Sequence, residues 1–102
     1  METDDRGVVT AIQPIQAEDS PLGTSWGGDW ISPRAIDLQI NGGLGLAFPE
    51  LTDTDLPRLF ELLELLWNDG VEAITPTLVT CGVAPLRRAL GVLRRARHQH
   101  SS

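Results

Sequence analysis

The chain has 102 residues, 41% of them apolar and 22% charged, with a formal net charge of -6, which bounds it at one domain of ordinary globular composition and excludes a fibrous class. Its longest leucine-rich stretch, Leu59 to Trp67, is interrupted by Glu61 and Glu64, far short of the roughly 20 apolar residues a bilayer crossing requires. A single cysteine, Cys81, excludes an internal disulfide framework and a cysteine-based zinc site within the chain.

The N-terminus, METDDRG, is acidic with no apolar run behind it, so no standard secretory signal is read and a cytoplasmic location is expected. Val8-Val9-Thr10-Ala11-Ile12 is a β-branched run that predicts one short strand. Gln13 to Asp29 is rich in Pro, Gly, Ser and acidic residues and reads as loop, with Trp26 and Trp30 as its anchors. Residues 1–30 are therefore expected to form a partial β segment.

From Trp30 the texture changes. Ala35-Ile36-Asp37-Leu38-Gln39-Ile40 predicts a strand bounded by Pro33 and by Asn41-Gly42-Gly43. Ile36, Leu38 and Ile40 alternate with Asp37, Gln39 and Asn41, so one face is apolar and the other polar. A polar face is expensive to bury without partners, so this one is expected to meet solvent or a site.

A helix follows with signals at both ends: Thr52, Asp53 and Thr54 as N-caps, Pro57 in the first turn, and Gly70 after Asn68 and Asp69. Its boundaries are expected near Thr54 and Asp69. Leu56, Leu59, Phe60, Leu63, Leu66 and Trp67 form an apolar stripe opposite Arg58, Glu61 and Glu64. Val71 to Thr80 predicts a second strand, with Pro76 marking a bulge or an end. A second helix opens at Ala84-Pro85, its inner face drawn from Leu86, Ala89, Leu90, Leu93 and Ala96.

Strand, helix, strand, helix, with crossovers suited to parallel pairing, makes a βαβα unit of an α/β fold. A parallel sheet needs both faces covered and normally more than two strands. Residues 31–102 are therefore expected to be an incomplete α/β domain.

Three side-chain patterns invite a chemical reading. Five of the eight arginines lie between Arg87 and Arg97, while all fourteen acids lie between Glu2 and Glu72. A solvated helix face explains that run better than a nucleic-acid site, since no aromatic residue stands among the arginines to stack a base. No nucleic-acid or membrane partner is expected. Cys81 has no basic neighbour in sequence to depress its pKa and reads as a small buried or half-buried residue. His98 and His100 would point about 200° apart on a helix and so cannot share one ion; an exposed tail is the expectation.

The string ISPRAIDLQINGGLG, followed by a helix ending NDGVEAITPTLVT, resembles the start of the barrel in N-acetylglucosamine-6-phosphate deacetylases of the amidohydrolase superfamily. The resemblance covers about half the chain and rests on Asp-Leu-Gln-x-Asn-Gly-Gly together with Pro-Thr-Leu-Val-Thr. It implies that residues 31–102 are the first two βα units, the N-terminal βαβα portion, of a (β/α)8 TIM-type barrel, preceded by residues 1–30 as a partial N-terminal β-sandwich segment and loop. It also implies a cytoplasmic metal-dependent hydrolase of amino-sugar metabolism that removes acetate from an amino-sugar phosphate. Such sites lie at the C-terminal ends of the strands.

By that resemblance Gln39 and Asn41 face the metal water or substrate, and Gly42 and Gly43 form the site rim. Amide side chains are poor zinc ligands, so Gln39 and Asn41 are not assigned as metal ligands. The family's divalent ion, zinc or iron, is held by a glutamate and two histidines, and an aspartate moves the proton; no catalytic or metal-binding residue of that set is matched here. The chain alone is accordingly expected to be an inactive fragment, with homo-oligomers implied for the full-length family and self-association for these residues. A non-catalytic interaction module or degenerate barrel fragment is the alternative. Arg34-Ala35 stand where the family pattern has Gly-Phe.

Overall fold

The computed structural model describes residues 1–14, 27–28 and 30–100, and the chain divides into two compact units, Met1–Ile31 and Ser32–Ser102. In the first, β1 (Glu2–Thr3) pairs antiparallel with β2 (Val9–Ala11). The Asp4 carboxylate closes the turn by accepting the backbone N–H groups of Arg6 and Val8 at 3.0 and 2.8 Å. The predicted strand is present. Trp30 is 88% exposed, while Trp26 and most of the predicted loop lie outside the described residues.

The second unit is mixed α/β. β3 (Ala35–Ile40) pairs in parallel with β6 (Val71–Pro76), and between them lie β4 (Gly42–Gly43), β5 (Leu46–Ala47) and helix α1 (Leu56–Asn68). Helix α2 spans Val83–His100. β6 stops at Pro76 because proline has no N–H for a ladder bond. The predicted strand of Val71 to Thr80 is therefore shorter, although the Thr77 N–H still donates to the Ile40 carbonyl at 2.8 Å.

α1 is entered through a 3-10 turn, Asp53–Asp55. The Asp55 carboxylate accepts both the Thr52 N–H and its hydroxyl at 2.8 Å, the acidic half of a capping box. That turn shifts the helix start from Thr54 to Leu56. At the other end Gly70 adopts φ 88, and its carbonyl accepts the Ala35 N–H at 2.8 Å. The helix stop thus also starts the parallel ladder.

Phe48, Leu51, Leu59, Leu62, Ala89, Val92 and Ala96 form the core, with Ile40, Leu46, Ile74 and Leu93 packed against it. Each large side chain there contributes roughly 1.5–3 kcal/mol through removal from water. Two details depart from the periodicity. Leu62 and Val92 are buried where neither was expected, and Trp67 and Leu90, both expected on inner faces, are each 52% exposed. α2 packs through its small residues, Ala89 and Ala96, which allow close approach and rotate Leu90 outward.

Two further expectations change. Helix α2 continues through His98 and His100, so they are not a tail; both are exposed, and the His100 ring stacks on Phe60 at 6.1 Å. Arg34 compensates for the glycine pattern it departs from. Its guanidinium lies 3.7 Å over the Trp67 ring and donates to the Trp67 carbonyl at 2.5 Å, tying the entry of β3 to the end of α1.

Candidate functional site

The polar residues of β3 are arranged by local bonds before any site is formed. The Asp37 carboxylate accepts the Gln39 N–H at 2.9 Å, and the Asp37 carbonyl accepts the Thr75 hydroxyl at 3.1 Å. Gln39 and Asn41 are both exposed. So too are Ile36 and Leu38, at 55% and 78%, while Asp37 is half-buried and Ile40 packs against the core.

Beyond Ile40 the chain folds into a tight hairpin. Gly42 and Gly43 pair with Ala47 and Leu46, and the connecting residues Leu44 and Gly45 have φ 50 and 84, the signs a two-residue type I′ turn requires. The Phe48 N–H closes the base by donating to the Asn41 carbonyl at 3.0 Å. Arg58 Nε donates to the Leu44 carbonyl at 3.2 Å and so holds a leucine in the left-handed region.

Packing accounts for both rim glycines. A Cβ at Gly42, where φ is 151, would stand 2.0 Å from the Leu46 carbonyl oxygen, and one at Gly43 would stand 2.6 Å from Leu62 Cδ1. Their roles are close backbone approach and core contact.

Asn41 borders a cavity of about 430 Å³ that also meets Glu50, Thr80, Cys81 and Arg88. Gln39 is not among its lining residues. Arg88 is positioned by its Nε, which donates to the Leu51 carbonyl at 3.1 Å, and Cys81 is half-buried. Thus the structure brings Asn41 together with Thr80, the last residue of the Pro-Thr-Leu-Val-Thr motif, and with Glu50, Cys81 and Arg88, which neither motif contains. For Cys81 the available signal was position: it follows the C-terminal end of a parallel strand, where α/β sites form.

Chemically the cavity offers an amide, a hydroxyl, a thiol, a carboxylate and a guanidinium, a set suited to hydrogen bonding a polar neutral or mildly anionic group. It does not fit a divalent metal. Among the described residues no three His, Cys, Asp or Glu side chains converge on one point, and the Arg88 charge opposes a cation beside it. The divalent ion that the sequence resemblance implies therefore has no holder among these residues.

No protein-family model matches the chain, and no solved structure is significantly similar to it. Among curated proteins, an N-acetylglucosamine-6-phosphate deacetylase of Mus musculus is 39% identical over 54 residues. That stretch is 53% of this chain and 13% of the relative, so the chain spans a small part of the protein it matches. No helix among the described residues is long and apolar enough to cross a membrane. What the comparisons establish is a partial, distant resemblance to an amino-sugar deacetylase over about half of the chain.

Proposed function

We propose that residues 31–102 are the first two βα units of a deacetylase-type (β/α)8 barrel and contribute one side of the pocket for an N-acetylated amino-sugar phosphate. The observation that carries this reading is Asn41 at the C-terminal end of β3, beside the end of a parallel β6, within the motif on which the sequence resemblance rests. Its side-chain amide donates and accepts at once, which matches the C=O and N–H of an acetamido group. Gln39, two residues earlier, would serve a second polar group of the sugar or the attacking water.

The overall reaction adds water across the acetamide, breaking its C–N bond to leave acetate and the free amine. No proton transfer and no metal step is assigned to these residues. The chain supplies orientation, and by itself no turnover.

Two measurements test this. The purified chain, with zinc or iron added, is expected to release no acetate from N-acetylglucosamine 6-phosphate; clear catalysis would overturn the account of its missing chemistry. A chimera in which residues 31–102 replace the corresponding segment of the Mus musculus deacetylase should fold and release acetate, with Asn41→Ala lowering kcat/KM at least tenfold. An unfolded chimera counts against the barrel reading. A folded chimera indifferent to Asn41→Ala counts against the site.

A further inference from the structure

Arg88 and Arg95 stand two turns apart on α2, and so on one face of the helix. Both reach toward the segment that leads into α1, with different results. Arg95 pairs with the Asp53 carboxylate. Arg88 meets no acid: its Nε donates to the Leu51 carbonyl at 3.1 Å, and among the described residues its two terminal nitrogens have no hydrogen-bond or ion-pair partner. A neutral acceptor fixes the guanidinium without cancelling its charge. The anchor is firm, since Leu51 is 1% exposed and Ala89, next to Arg88, is fully buried. Arg88 thus brings an open positive charge to the cavity of about 430 Å³ that Asn41 borders, a volume within the range of small-molecule sites.

Glu50 lines the same cavity, at the end of a 3-10 turn, Phe48–Glu50, whose Phe48 and Pro49 are buried. It does not pair with Arg88: the ion pairs of the described residues are Arg6–Asp4, Arg58–Glu61 and Arg95–Asp53. Two opposite charges that share a cavity and leave each other unpaired suit a ligand that is polar at both ends. A guanidinium fork matches the oxygens of a carboxylate or phosphate. An ionised carboxylate only accepts hydrogen bonds, so Glu50 takes hydroxyl donors and repels a second anion.

We propose that Arg88 is the anion-binding residue of this cavity, and that its ligand is a hydroxylated oxyanion, a sugar phosphate or a sugar acid, held by its charge at Arg88 and by hydroxyl groups at Glu50 and Thr80. The inference deepens the deacetylase reading and rests on it only for which member of that class is the natural substrate. The acetamide contact stands on Asn41 and the anion contact on Arg88, so the two fail separately.

The test is titration of the isotope-labelled chain with glucose 6-phosphate, gluconate and glucose at low ionic strength, followed by nuclear magnetic resonance. Both anions should bind at least tenfold more tightly than glucose and weaken as salt screens the charge; their order tells phosphate from carboxylate. Arg88→Met keeps the aliphatic stem and should lose at least tenfold in affinity for either anion. Arg87→Met removes an equal charge from the next residue, which does not line the cavity, and should change affinity less than twofold. If Arg88→Met loses helicity, the Nε–H resonance of Arg88 in the parent decides: it should move with either anion and not with glucose. Anions that bind no better than glucose overturn the proposal, as does an Arg87→Met loss equal to that of Arg88→Met or an Arg88 resonance that stays still. Anion binding beside a chimera that releases no acetate sinks the deacetylase reading and leaves Arg88 in place; a chimera whose acetate release is indifferent to Arg88→Met does the reverse.

Discussion

Replacing Gly42 by alanine tests the hairpin that holds Asn41 in place. Gly42 has φ 151, and an added Cβ would lie 2.0 Å from the Leu46 carbonyl oxygen, 2.9 Å from its carbon and 3.2 Å from Ala47 Cα. The backbone conformation alone costs on the order of 1–3 kcal/mol for an L side chain. The neighbours are main-chain atoms, so relief requires the β4–β5 pair to separate, losing backbone hydrogen bonds worth about 1 kcal/mol each. The expected loss is about 3–5 kcal/mol, a large fraction of a small domain's 5–15 kcal/mol. At roughly 4–8 °C per kcal/mol the melting temperature should fall by at least about 12 °C.

The assay is thermal and urea unfolding followed by circular dichroism, with two internal controls. Gly45→Ala, at φ 84 with no heavy atom within 4 Å, should lose only about 1–2 kcal/mol through the left-handed conformation. Gly43→Ala meets the tip of Leu62, which can shift but is itself only 3% exposed, and should fall between them. If Gly42→Ala proves no worse than Gly45→Ala, the close backbone approach at the hairpin is wrong, and with it the placement of Asn41.

Arg34→Ala removes both the stack over Trp67 and the bond to its carbonyl; about 1–2 kcal/mol should be lost in urea unfolding, with a change in tryptophan emission. Leu62→Ala, in the core, should lose about 2–5 kcal/mol by the same assay, whereas Leu65→Ala, 44% exposed on the same helix, should lose far less. The Thr52 backbone N–H and hydroxyl hold the Asp55 carboxyl below its ordinary value of 3.8. A depressed folded value means that this contribution is fully present above the unfolded value and fades as pH falls below about 4 toward the folded one. Acid unfolding of Asp55→Asn should show a shallower decline over that window than the parent.

The four longer elements of the second unit, β3, α1, β6 and α2, were legible because each is specified by adjacent residues. The alternation of Ala35 to Ile40, the stripe and glycine stop of α1, and the proline limit of β6 are local physics, and the length of α1 demands a parallel crossover. The resemblance also pointed to Asn41, which lies just past the end of β3. Its company there was not readable, because Arg88 and Cys81 come from elements distant in sequence and reach Asn41 only once α2 has docked.

Helical periodicity likewise determines that α2 has an apolar arc but not which part of the arc faces inward. Ala89 and Ala96 permit close packing, so Val92 was buried and Leu90 turned out, a choice made by the shape of the surface α2 meets. The hairpin at 42–47 is of the same kind: a leucine at φ 50 is unfavourable in isolation and persists where Arg58 and the Phe48 bond hold it. Sequence alone determined the longer elements, β3, α1, β6 and α2, through patterns a few residues long. Tertiary structure alone decided which side chains meet at the strand ends and which apolar faces stay open, because those outcomes depend on docking between segments whose contacts no local pattern encodes.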